Sequence, residues 1–165
     1  MKNFRINEFV CRCGCEMPAE ARQNIEALVA NVLDPVRDEY GKPIYVNSGY
    51  RCAKHNAAVG GVPKSQHKVG EAADISVKSE PTPEREESQA CLSYPERKGG
   101  RRSQKLKVKS ELDELARIIV SQGRFDQMIL YPTFLHVSYK RTGANRHRVL
   151  RKTATGYEVL RCLDA

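Results

Sequence analysis

The longest regular pattern in the chain lies between Met17 and Gly41. Ile25, Leu28, Val29, Val32, Leu33 and Val36 recur at the three, four and seven spacing of an amphipathic helix, which predicts their burial in a core. Pro18 is tolerated in a first turn, Pro35 removes a backbone donor and should kink or divide the helix, and Gly41 is placed as its C-cap. A second helix is predicted where Leu112, Leu115, Ile118 and Ile119 share a face. Ser110 would be its N-cap, Glu111 and Asp113 its acidic first turn, and Gly123 its end. Lys54 to Val59 reads as one or two helical turns closed by Gly60-Gly61.

The other apolar residues form short alternating runs. Ile44-Tyr45-Val46 predicts a short buried strand, and Ala73 to Val77 predicts another with β-branched residues. Asp126 to Tyr139 predicts a hairpin turning at Pro132-Thr133. Pairing Tyr131 with Phe134 sets Ile129 opposite His136 and Asp126 opposite Tyr139. Phe134, His136 and Ser138 then share one face of the strand, and Leu135, Val137 and Tyr139 the other. Phe4 to Val10 alternates weakly, as a short strand or an extended arm. Lys140 to Lys152 reads as a basic turn region and Tyr157 to Leu160 as an edge strand.

Length bounds the organisation: 165 residues make a single domain, 1–165, with enough chain to bury a core. The texture changes between Ser79 and Ser110, where an acidic, proline-bearing half precedes a basic one without sustained periodicity. This stretch, 79–110, is expected to be a mobile insertion. The net charge of +8 is largely local, because residues 97–109 carry seven basic side chains and no acid. That run has no interleaved aromatics to stack bases, so a nucleic-acid partner is not expected. No apolar run approaches the roughly 20 residues of a membrane span, and no secretory signal is evident. The expectation is a monomer that stays cytoplasmic until released.

The chemistry concentrates in Asn47 to Asp74 and in the strand holding His136. Zinc takes imidazole and carboxylate ligands, and a catalytic site uses three of them and keeps a fourth position open. His67, Asp74 and His136 would supply two imidazoles and one carboxylate. The six residues between His67 and Asp74 are too many for one helix face and suit a loop running into a strand. Two other histidines compete. His55 follows Lys54 in a small-residue helix and is expected to be structural. His147 sits among arginines, which disfavour a nearby cation.

Four segments carry a resemblance: SGYR at Ser48 to Arg51, KHNAAVGG at Lys54 to Gly61, S-x-H-x-x-G-x-A-x-D at Ser65 to Asp74, and HVS at His136 to Ser138. Together they resemble the zinc D-Ala-D-Ala peptidase family, which includes VanX-type dipeptidases, D-alanyl-D-alanine carboxypeptidases and phage L-alanyl-D-glutamate endolysins. The resemblance covers roughly residues 4–78 and 111–152. It implies an α+β fold, with helices packed on one side of a small, mainly antiparallel sheet. It implies one catalytic Zn2+ on His67, Asp74 and His136, a substrate contact from Arg51, and peptidoglycan peptide as substrate. Ser65, in the loop before His67, is a candidate to hydrogen-bond the substrate or to order that loop. Many members carry an acidic general base about three residues before the last histidine, where this chain has Thr133. Asp126, Glu71 and the inserted segment are the places left for such a base. A chain without one would be a weakly active zinc scaffold that binds the wall or serves in a virion.

Six cysteines stand at 11, 13, 15, 52, 91 and 162. The run Cys11-x-Cys13-x-Cys15 raises a second metal site, with Cys52 available as a fourth thiol. Its spacing departs from the usual C-x2–4-C pair, so free or buried thiols are the expectation. Small members of the family carry a similar Cys-Gly-Cys knot here.

Overall fold

A computed structural model describes residues 1–78 and 100–160, with 100–107 as backbone only. Helix α1 spans Ala19–Leu28 and α2 spans Asp34–Tyr40. The two are joined by one π-helical turn, Val29–Leu33. Pro35 explains that turn. A proline ring clashes with the carbonyl four residues back, and the wider π turn around Asn31 takes up the misfit without ending the helix. Gly41 closes α2 in the left-handed conformation, at φ 72°, with its N–H donating to the Arg37 carbonyl at 3.1 Å. All six apolar residues of the predicted stripe are buried.

The short helix α3 spans Ala53–Ala58 and the long helix α4 spans Gly100–Gln122. Six strands complete the fold: β1 Tyr45–Ser48, β2 Ala72–Ser76, β3 Gln127–Leu130, β4 Leu135–Ser138, β5 Arg148–Lys152 and β6 Tyr157–Leu160. They form one sheet in the order β1-β2-β4-β3-β5-β6, antiparallel except for the β3–β5 pair. The fold is α+β. No helix among the described residues is long and apolar enough to cross a membrane.

Alternation along the central strands divides the sheet into two working faces. Ala73, Ile75, Met128, Leu130, Leu135 and Val137 point into the core with the apolar faces of α1, α2 and α4. Asp74, Gln127, Ile129 and His136 point the other way and line a cleft. The hairpin holds the expected register, with Tyr131 N–H donating to the Phe134 carbonyl at 3.0 Å and Ile129 opposite His136.

Several expectations are corrected. Phe4 to Val10 is neither strand nor extended arm but contains a 3-10 turn at Ile6–Phe9. The first strand is an edge strand with exposed Tyr45, rather than a buried one. The basic region after Lys140 contains β5, because buried Val149 and Leu150 give it an apolar centre to pair against β3. Helix α4 begins at Gly100, so Ser110 lies within it and is not its N-cap. The part of the expected insertion from 79 to 99 lies outside the described residues, as do Cys91 and Cys162.

The N-terminal arm is fastened to this frame. The backbone N–H groups of Lys2 and Asn3 donate to the two Asp34 carboxylate oxygens at 2.7 and 2.8 Å. Phe9 is fully buried, and its carbonyl accepts from Tyr50 N–H at 2.8 Å. A Cβ at Gly49 would stand 2.6 Å from the Phe9 backbone, so only glycine fits this crossing.

Candidate metal centre

Three segments meet at the cleft. A bulge in β1 sets Ser48 rather than Asn47 opposite Asp74 of β2. Beside it, the turn Gln66–Val69 carries His67 and ends at Gly70, at φ 75°. A Cβ on Gly70 would stand 2.2 Å from the Ala21 carbonyl oxygen, so this turn packs directly on α1. On the other side of β2, the β4 register sets His136 directly opposite Asp74.

The result is a compact triangle of ligand atoms. His67 Nε2 lies 3.1 Å from Asp74 Oδ1 and 3.1 Å from His136 Nδ1, and His136 Nδ1 lies 2.9 Å from Asp74 Oδ1. Tetrahedral zinc with bonds near 2.0–2.1 Å would hold its ligands about 3.3 Å apart, so the triangle is of the right size. The tautomer also fits. His67 Nδ1 lies 2.7 Å from the Gly49 carbonyl, which can only accept, so the proton is on Nδ1 and the Nε2 lone pair faces the triangle. Burial pushes the His136 imidazole below its usual value, toward the neutral form that ligates. Burial opposes ionisation of Asp74, but the His136 and His67 rings beside it outweigh that and hold the carboxyl well below the usual range. Three acceptor atoms this close repel one another unless a cation stands among them, which is the chemistry of a metal site.

Arg51 braces the triangle from outside. Its Nη2 donates to Asp74 Oδ2 and its Nε to Ser48 Oγ at 2.7 Å, leaving Oδ1 turned toward the histidines. Arg51 also lines the cleft, which encloses about 780 Å³. Ser65 lies on the same wall and starts the turn that carries His67. Tyr131 and Phe134 stack with ring centroids 4.3 Å apart and form part of the opposite wall. His55 also lines the cleft, but it is not among the residues grouped around the triangle. His147 packs its ring edge-on against Phe125 with centroids 5.8 Å apart.

A match to known proteins covers much of this arrangement. A family model described as Peptidase M15 matches residues 2–108. The chain belongs to the Peptidase M15 family. It is thus a member of a metallopeptidase family, and the matched stretch contains Arg51, His67 and Asp74. His136 lies beyond that stretch and is brought to the others by the β2–β4 register. No curated protein matches the chain.

The acidic residues divide by position. Asp126 is completely buried and is not part of the cleft wall. Its Oδ1 accepts from Arg146 N–H at 3.0 Å and Nε at 2.9 Å, while Oδ2 accepts from Arg146 Nη2 and from Gln66 Nε2 at 3.0 Å. Burial would raise its carboxyl, yet these donors hold it down at about 2. Thr133, at the position where many relatives have an acid, is exposed at the hairpin turn. Glu71 and Asp74 are the acidic side chains on the cleft wall among the described residues. Gln66 links the buried acid to the half-buried one on the cleft wall, reaching Asp126 at 3.0 Å and Glu71 Oε2 at 3.5 Å. Sequence reasoning missed Gln66 and Arg146 because their partners are 60 and 20 positions away.

Proposed function

We propose that this chain is a zinc-dependent peptidase that hydrolyses peptidoglycan peptide at an amide next to a D-amino acid. The observation that carries the reading is the triangle of two imidazole nitrogens and one carboxylate oxygen, with edges of 2.9 to 3.1 Å, at the floor of a cleft. Zinc held there would act as a Lewis acid and bring the pKa of its water to roughly 7.

The chain's own residues divide the remaining work. Arg51 fixes Asp74 and presents a planar cation to the cleft, suited to a substrate carboxylate or a polarised carbonyl. Ser65 offers a hydroxyl on the same wall. Glu71 takes the proton from the attacking water and returns it to the leaving amine. Asp126 acts through Gln66, holding that amide where it can orient Glu71. The role of base therefore passes from Asp126, whose acceptor capacity is engaged by Arg146 and Gln66, to a carboxylate that faces substrate. The stacked Tyr131 and Phe134 rings give the peptide an apolar wall.

Incubation with purified peptidoglycan, with and without a chelator, tests this reading. The expected result is chelator-sensitive release of new amino groups. Free D-alanine as product would mark a carboxypeptidase, and cut cross-links or stem peptides would mark an endolysin-type endopeptidase. Stoichiometric zinc with no amine released would instead favour a weakly active wall-binding scaffold.

A further inference from the structure

Four cysteines from two distant segments converge on either side of Arg12 and next to Arg51, which both line the cleft. Cys11, Cys13, Cys15 and Cys52 place their sulfurs all within 4.8 Å of one another. Sγ of Cys13 lies 3.2 Å from that of Cys11 and 3.4 Å from that of Cys52. We infer that these four thiols form a second metal site, which takes a thiolate-preferring divalent ion of the zinc class and clamps the N-terminal arm to the segment carrying Arg51. The inference is independent of the proposed peptidase activity.

Size and chemistry agree with this assignment. A tetrahedral S4 site with Zn–S bonds near 2.3 Å has sulfurs about 3.8 Å apart, and such a set selects zinc or iron over harder ions. A pair of disulfides would draw the sulfurs into two separate couples near 2.05 Å, whereas here Cys13 stands close to both Cys11 and Cys52. Two backbone amides aim at the cluster: Cys52 N–H at the Cys11 sulfur, 3.4 Å, and His55 N–H at the Cys52 sulfur, 3.3 Å. Such donors stabilise thiolates and orient ligands. The Cys11–Gly14 turn closes with Gly14 N–H on the Cys11 carbonyl at 3.0 Å, and Gly14 takes φ 77°, which folds the three-cysteine run back toward Cys52. Binding releases each thiol proton to solvent as its sulfur ligates.

The clamp would bear on the first site through three short links. Cys52 follows Arg51 directly. Tyr50 N–H is held by the Phe9 carbonyl, two residues before Cys11. Gly49, crossing Phe9, supplies the carbonyl that orients His67.

Cobalt(II), added to protein purified under reductant, distinguishes the two sites. A His67→Ala/His136→Ala double variant is expected to bind one cobalt with an intense near-ultraviolet sulfur-to-cobalt charge-transfer band. A Cys13→Ser/Cys15→Ser variant should lose that band and one metal equivalent relative to wild type. Should the cysteine variant not fold, titration of wild-type protein with an organomercurial decides: metal released in step with thiol consumption supports the site. Consumption of all six thiols without metal release overturns it. So does a histidine double variant without the sulfur–cobalt band, or a non-reduced intact mass four hydrogens low with no metal.

Discussion

Replacing Asp126 by Asn separates two roles that a buried acid near a cleft can play. The carboxylate lies just before β3, gripped by the Arg146 fork and backbone amide, with Lys140 Nζ at 3.7 Å. Its carboxyl is held at about 2, against an ordinary value of 3.8. Because the folded value is the lower one, the stabilisation is complete above 3.8 and is lost as pH falls from 3.8 through about 2. The full difference corresponds to about 2 kcal/mol, and the half-exposed Arg146 side chain lets water screen part of it, leaving roughly 1–2 kcal/mol. For a domain of this length that is roughly 2–8 °C in Tm. Thermal or urea unfolding of wild type and Asp126→Asn between pH 2 and 7 reads the effect directly. The two proteins should differ at neutral pH and converge near pH 2. Identical stability curves across that range would refute the ion-pair reasoning. Peptidase assays on the same variant address the chemistry. If Asp126 positions Glu71 through Gln66, kcat falls less than in Glu71→Gln. A fall of about 10²–10⁴ confined to kcat, with stability intact, would return the base to Asp126.

Three other substitutions probe neighbouring parts of the site. Glu71→Gln should lower kcat by about 10²–10⁴ with metal content unchanged, measured by amine release alongside elemental analysis. Arg51→Ala should weaken metal binding by about 10–100-fold, because Asp74 loses the partner that turns Oδ1 inward; competition with a chelator reads it, and unchanged affinity would contradict the bracing role. Gly70→Ala adds a Cβ 2.2 Å from the Ala21 carbonyl at a left-handed position, and should cost about 3 kcal/mol or more by denaturant unfolding.

Local signals were strong where structure depends on near neighbours. The 3.6-residue stripe from Ile25 to Val36 and the two-residue turn at Pro132-Thr133 each carried their own geometry, so the first helix, its break near Pro35 and the His136 register were legible. The α4 start was not, since residues 101–109 are mostly basic and, among the described side chains there, Val108 alone carries the Leu112 stripe back onto the core. β5 was hidden because its partner β3 lies parallel and some twenty residues earlier, and only Val149 and Leu150 give an apolar cue. The ligand triangle could be approached through the S-x-H-x-x-G-x-A-x-D string, yet the brace from Arg51 to Asp74 required coordinates. The thiol cluster was half legible: its two-residue spacing argued against a metal, and the fourth sulfur, at Cys52, is brought in by a crossing 41 positions away.

Metal content of the four single histidine variants, measured by elemental analysis on protein titrated with zinc after removal of the thiol-bound metal by a mercurial, tests the centre most directly. His67→Ala and His136→Ala are expected to lose the remaining zinc, while His55→Ala and His147→Ala keep one equivalent. Full zinc retention in the first pair, or its loss in the second, would contradict a site built on His67, Asp74 and His136.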